Sequence, residues 1–208
     1  MIQVPLCKPD LPDFATLKDE VREVLESGKI TNFGKYVSAF EEEARAFLDA
    51  EVVTVSSGTA GLILALQASG LQPGDKVILP SFTFMATAQA VLYAGGIPLF
   101  ADINSDLTLS TEDLETLLSR HDDVAAVLPV HTFGLPARTD EIRVVVDRAA
   151  QKRSKPIFVL YDAAHAFGSA RGNRKIGTFG ESEIFSLSAT KVLVSVEGGI
   201  VSSRDLSR

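Results

Sequence analysis

Phe158-Val159-Leu160-Tyr161-Asp162, followed by Ala163-Ala164-His165, gives the clearest sign of the fold class. Apolar residues in unbroken succession are how a strand covered on both faces reads. The carboxylate that ends the run is informative, because burying Asp costs several kcal/mol unless a partner compensates it. On either side of it, similar runs occur at residues 52–55, 76–79, 97–100, 125–130, 183–187 and 199–202, which with 157–161 makes seven candidate strands. Helical patterns lie between several of them, at 61–68, 85–94, 112–118 and 140–152. This alternation argues for a three-layer α/β/α fold with a mainly parallel seven-stranded sheet. In such sheets ligands gather at the carboxyl ends of the strands.

Two helical patterns precede the sheet. Residues 14–25 place Leu17, Val21, Val24 and Leu25 on one face, and residues 37–48 do the same with Phe40, Ala44, Phe47 and Leu48. Glu41, Glu42 and Arg45, opposite that second stripe, read as a solvated face. Ser110 with Asp113 resembles a capping box at a helix start.

With 208 residues the chain suits one domain or a domain and a half, and 46% hydrophobic residues suffice for a large core. The net charge of −7 is spread along the chain, so no basic stripe points to nucleic acid and no polybasic cluster to an anionic membrane. Cys7 is the sole cysteine, which excludes an internal disulfide; it reads as a free buried thiol. The N-terminus shows no signal-peptide pattern and no apolar run is long enough to span a bilayer, so a cytoplasmic protein is expected.

Chemistry collects at the strand ends. The first strand runs into Ser56-Ser57-Gly58-Thr59-Ala60-Gly61, where small residues and a helix N-terminus suit an anion such as phosphate. Taken alone, it reads as an ordinary strand-to-helix turn. It is neither a Walker loop nor a Gly-x-Gly-x-x-Gly fingerprint. The second strand ends in Pro80-Ser81-Phe82-Thr83-Phe84, where an aromatic ring can stack on a planar ligand, although two core phenylalanines on opposite sides of a continuing strand are the simpler reading. A pyridinium nitrogen would compensate Asp162. His165 has two readings, packing on a ring face or satisfying a backbone carbonyl. The sixth strand leads through Phe185-Ser186-Leu187-Ser188-Ala189-Thr190 to Lys191. A partly desolvated lysine among hydroxyls can attack a carbonyl, whereas any single lysine reads by default as a surface loop residue. The order decides: phosphate, ring face, ring nitrogen and aldehyde are each matched at successive strand ends of one sheet.

The chain resembles the DegT/StrS-type aminotransferases, which act on nucleotide-linked keto-sugars. The resemblance rests on Gly28-Lys29-Ile30-Thr31-Asn32-Phe33-Gly34, Ser57-Gly58-Thr59-Ala60, Pro73-Gly74-Asp75 and residues 80–88. It continues through Val130-His131-Thr132-Phe133-Gly134-Leu135-Pro136, Asp162-Ala163-Ala164-His165-Ala166, Phe185-Ser186, Thr190-Lys191 and Glu197-Gly198-Gly199. It implies an aspartate-aminotransferase-like fold, a sheet whose seventh strand is antiparallel, and pyridoxal 5′-phosphate (PLP) as cofactor, with no metal. It implies that Lys191 forms a Schiff base with PLP and later moves the proton, and that Asp162 pairs with the pyridine nitrogen. Phe84 and His165 would lie on the two ring faces, and Gly58, Thr59 and Ser186 would hold the phosphate. The implied reaction moves an amino group from an amino acid, glutamate by expectation, to a nucleotide-linked keto-sugar in a homodimer.

Two departures qualify this. Residues 1–208 read as the PLP-binding large domain with an N-terminal helical segment over 1–50, and the smaller C-terminal domain of the family is not part of the sequence. A PLP-binding module without turnover is therefore an alternative reading. A sugar dehydratase of the same family is another, but those relatives replace the Schiff-base lysine by histidine, and Lys191 argues against it. Ser188 stands where many family members have His.

Overall fold

The computed structural model describes residues 9–153 and 155–204; Cys7 lies outside them. Two helices come first, α1 (Phe14–Ser27) and α2 (Lys35–Leu48). They are followed by β1 (Glu51–Val55), α3 (Gly58–Ala68), β2 (Lys76–Pro80), α4 (Met85–Tyr93), β3 (Ile97–Ala101), α5 (Thr111–Arg120) and β4 (Val124–Val127). Then come α6 (Thr139–Ala150), β5 (Phe158–Asp162), the short strands β6 (Ala170–Arg171) and β7 (Arg174–Lys175), β8 (Ser182–Ser186) and β9 (Gly199–Ser203). No helix among the described residues is long and apolar enough to cross a membrane.

The main sheet has seven strands in the order β1-β9-β8-β5-β4-β2-β3. β9 runs antiparallel to both of its neighbours, and the other described pairings are parallel. Side-chain alternation sorts the strands onto two covered faces. Val77, Leu79, Ala126, Leu128, Leu160 and Ile184 pack with Leu62, Leu66, Ala90 and Val91 of α3 and α4. Ile78, Val127, Val159 and Tyr161 turn the other way, onto Leu114, Leu118, Ile142 and Val146 of α5 and α6. On that same face Val52, Phe185 and Ile200 meet Ala44 and Leu48 of α2. Leu160 and Ile184 are fully buried, each side chain stabilising the fold by about 1.5–3 kcal/mol. The three-layer α/β/α architecture is the one expected from the sequence.

Several local expectations change. The run at 125–130 keeps its ladder to Leu128, whose N–H donates to Ile78 O (2.7 Å), is interrupted at Pro129, which has no N–H to give, and bridges β5 again at Val130, where the Asp162 N–H donates to Pro129 O (2.9 Å). Phe82 and Phe84 are not core residues: β2 ends at Pro80, the chain bends, and both rings are exposed. Glu42 is exposed as expected, but Glu41 and Arg45 are only partly so: Glu41 accepts from Thr54 N and Thr54 Oγ1 (both 2.8 Å) and Arg45 donates to Val52 O (2.8 Å), which ties these two to β1. Only half of the capping box forms. Ser110 Oγ accepts from Asp113 N (3.3 Å), but the Asp113 carboxylate accepts from Asp102 N (2.7 Å). The hairpin of β6 and β7 carries too few residues for a periodicity and turns at Gly172, whose φ of 61° suits glycine. Finally, in the α1 stripe Leu17, Val21 and Leu25 are exposed and Val24 is partly buried.

Candidate active site

The carboxyl ends of β1, β2, β5 and β8 open onto one cavity of about 630 Å³. All seven residues singled out from the sequence line it: Gly58, Thr59, Phe84, Asp162, His165, Ser186 and Lys191. Two larger surface grooves, of about 790 and 930 Å³, lie elsewhere. The first sits at the amino ends of β5 and β8, beside Phe158 and Ser182, and the second beside the start of β1. The chemistry of the lining, not size, selects the smaller cavity.

One wall is the start of α3. Ser57 caps the helix, its Oγ accepting from Ala60 N (3.1 Å), and its carbonyl accepts from Gly61 N (3.0 Å). The N–H groups of Gly58 and Thr59 have no protein acceptor among the described residues. They sit at the positive end of the helix dipole, a ready site for an anion. Close packing brings Ser186 to the same place. A Cβ added at Gly58 would stand 3.0 Å from Ser186 Cβ, and one added at Gly199 would stand 2.7 Å from Gly58 N. Glycine at both positions is what lets β8, β9 and α3 meet.

Asp162 ends β5 on the α4 side of the sheet and is 5% exposed. Its Oδ2 accepts from Thr87 Oγ1 (2.7 Å) and its Oδ1 from Ala164 N (3.1 Å). The Thr87 proton is thus used on Asp162, so Thr83 Oγ1, 2.7 Å from Thr87 Oγ1, donates to it. A directed hydroxyl chain therefore runs from the cavity wall to the buried carboxylate.

Among the described residues the His165 side chain bonds no carbonyl. Its ring lies parallel to Phe133, at 5.9 Å between centroids and 2° between planes, and Phe82 meets Phe133 edge-on at 6.2 Å. Burial, and next the Lys191 charge, hold the His165 imidazole below its ordinary value, while Asp162 pulls the other way. A histidine depressed in the fold stays neutral while its unfolded counterpart takes up a proton. Stability is therefore full above about pH 6.5 and falls as pH drops from there toward the lowered folded value. His165→Gln should flatten this part of the profile, read as the difference between thermal midpoints at about pH 7.5 and about pH 5.5.

Lys191 lies on the connection between β8 and β9. That loop is held closed by Leu187 N to Gly198 O (2.9 Å), Ala189 N to Val196 O (3.0 Å) and Lys191 N to Ser188 O (2.9 Å). The lysine is partly buried, not a free surface residue. Two free N–H groups at a helix N-terminus, a buried carboxylate, aromatic surfaces and a primary amine thus share one cavity.

The family model described as the DegT/DnrJ/EryC1/StrS aminotransferase family matches residues 14–207. The chain belongs to this family. It is 33% identical over 202 residues to a GDP-perosamine synthase of Vibrio cholerae, a match that covers 96% of this chain and 52% of that protein. It is 37% identical over 195 residues to an L-glutamine:2-deoxy-scyllo-inosose aminotransferase of Streptomyces kanamyceticus, covering 90% of this chain and 44% of that one. Among solved structures, DesI in the presence of its TDP-sugar product superposes with a TM-score of 0.86 at 35% identity, over 95% of this chain and 48% of DesI. The chain thus spans about half the length of the relatives it matches.

Sequence reading missed Thr87 and Phe133. Thr87 is one of several small residues in α4, and only the fold turns it toward Asp162. Phe133 stands in the Val130–Pro136 segment, but its reach to His165 depends on a left-handed backbone, for which the neighbouring Gly134 was the one available sign.

Proposed function

We propose that this chain is the cofactor-binding large domain of a PLP-dependent aminotransferase, which passes an amino group from an amino acid, glutamate foremost, to a nucleotide-linked keto-sugar. The observation that carries this is the convergence of Lys191, Asp162 and the free N–H groups of Gly58 and Thr59 on one cavity. PLP fits these residues, and when bound it supplies an electron sink for charge left on a carbon that loses a proton. The N–H groups of Gly58 and Thr59, with Ser186 Oγ, bind the phosphate at the positive end of α3. Asp162, held by Thr87 and Ala164, pairs with the pyridine nitrogen and keeps it protonated. Phe84 and His165 flank the ring. Lys191 Nζ would be the amine that holds the cofactor's aldehyde end and the base that takes up and returns the proton.

A homodimer belongs to the same proposal. Phe84, Met85, Leu92, Tyr93, Ile97 and Phe100 on α4, β3 and the α4 cap are large, apolar and exposed, and apolar residues grouped on a surface favour a partner.

The test uses PLP-loaded protein. Addition of L-glutamate or L-glutamine should bleach the yellow chromophore, and a nucleotide-linked keto-sugar should restore it. Restoration by scyllo-inosose in place of any nucleotide-linked sugar would contradict the acceptor assignment. Bound PLP that no amino acid bleaches would contradict amino-group transfer.

A further inference from the structure

On the face of the sheet that carries Tyr161, a carboxylate and an imidazole are buried with no part in the chemistry above, and His131 also borders the cavity. Glu183 of β8 and His131 are both fully buried. Glu183 accepts from the N–H groups of Gly177 (2.6 Å), Gly180 (3.1 Å) and Phe179. His131 Nδ1 accepts from Ala137 N (2.9 Å), so its proton sits on Nε2. Among the described residues that nitrogen has no hydrogen-bond partner, and Glu183 Oε2 is 3.7 Å away. The imidazole also lies flat on Tyr161, 4.9 Å between centroids and 7° between planes. Packing, one hydrogen bond and a facing carboxylate therefore fix both its tautomer and its plane.

The backbone just past His131 is unusual. Phe133 and Gly134 are both left-handed, with φ of 53° and 85°. A phenylalanine in that region is strained and persists only where its surroundings over-determine it. His131 supplies the anchor. Its N–H donates to Asp162 O (2.9 Å) and its carbonyl accepts from Gly134 N (3.1 Å). The turn then boxes in His165. The Phe133 ring lies parallel to the imidazole, and a Cβ at Gly134 would stand 2.9 Å from His165 O.

We propose that Glu183 and His131 are positioning residues: from the Tyr161 face of the sheet they hold the left-handed Phe133–Gly134 turn, whose aromatic ring sets the plane of His165 in the site. This rests on the reading of His165 as a ring-face residue. A merely structural buried pair would affect stability alone, whereas a positioning pair also changes His165 and the ligand it faces.

The experiment uses the full chain labelled with ¹⁵N-histidine. Without PLP, His131 should show a single Nε2–H tautomer. In Glu183→Gln, whose amide cannot accept from all three N–H groups, that pattern should broaden into a mixture, and the His165 ring signals should shift. Phe133→Ala, at an exposed position, leaves the core intact and should shift His165 as well, while Phe133→Tyr should restore it. With PLP, both Glu183→Gln and Phe133→Ala should weaken binding about three- to tenfold, the scale of one aromatic contact, and reduce the induced circular dichroism of the chromophore. A wild-type His131 without a fixed Nε2–H tautomer would overturn the proposal, even if Glu183→Gln failed to fold. So would His165 signals unchanged in Phe133→Ala. Wild-type protein that binds no PLP would sink the cofactor reading instead, and the cofactor-free spectra would still decide this one.

Discussion

Lys191→Ala is expected to lower amino-group transfer by about 10³–10⁴-fold or more, because on the proposed function the substitution removes both the amine that holds the cofactor and the base that moves the proton. Positioned acid–base catalysis alone accounts for about 10²–10⁴-fold. Folding should be untouched. Lys191 belongs to the loop between β8 and β9, and the bonds that close this loop are made by backbone groups, including Lys191 N itself, which alanine retains. Far-UV circular dichroism and the thermal midpoint of the cofactor-free protein should therefore match wild type, while the yellow adduct disappears. Lys191→Arg separates charge from chemistry. It keeps a cation beside His165, yet its guanidinium is not the required amine, so the same loss is expected.

If Asp162 pairs with the pyridine nitrogen as proposed, Asp162→Asn should lower turnover by about 10²–10³-fold, the rate equivalent of a two- to three-unit shift in that nitrogen's proton affinity. The amide has similar shape but no charge to keep that nitrogen protonated. Asp162 has no countercharge within ion-pair distance among the described residues and is held by two hydrogen bonds, from Thr87 Oγ1 and Ala164 N. Loss of one such bond in the cofactor-free protein changes stability by no more than about 1–3 kcal/mol. The larger effect belongs to the PLP-bound form, where the rise in thermal midpoint on adding PLP should shrink. Thr87→Val removes the donor at Oδ2 but keeps the carboxylate. Its loss of turnover should be well below that of Asp162→Asn. Equal losses would mean that the hydroxyl chain, not the charge, matters.

Most of the sheet was legible because its strands are covered on both faces. A run such as Phe158–Tyr161 is apolar without interruption, and its hydrophobicity marks it whatever its neighbours are. Candidate residues were legible for a related reason: an α/β sheet delivers its strand ends to one edge, so the small-residue turn at Ser57–Thr59, an aromatic strand end, Asp162 and Lys191 could be placed together from order, while Ser186 and the choice of Phe84 came from the family resemblance. What was not legible depends on contacts between distant segments. Glu41 looks like any solvent-facing glutamate of a helix until Thr54 is placed beside it. Thr87 looks interchangeable with the small residues around it in α4 until Asp162 arrives from 75 residues away. The stripe on α1 reports a helix correctly, but periodicity carries no information about what an apolar face meets. Phe133 joins the site through backbone angles that its own side chain disfavours, so no propensity points to them.

The proposed function stands or falls on the bond between Lys191 and the cofactor. Incubating the purified chain with PLP, reducing it with borohydride, digesting it and mapping the modified peptide by mass spectrometry tests that bond. One pyridoxyl group is expected, on the peptide that contains Lys191, and none in Lys191→Ala. Labelling spread over other lysines, or equal in the two proteins, would overturn the assignment.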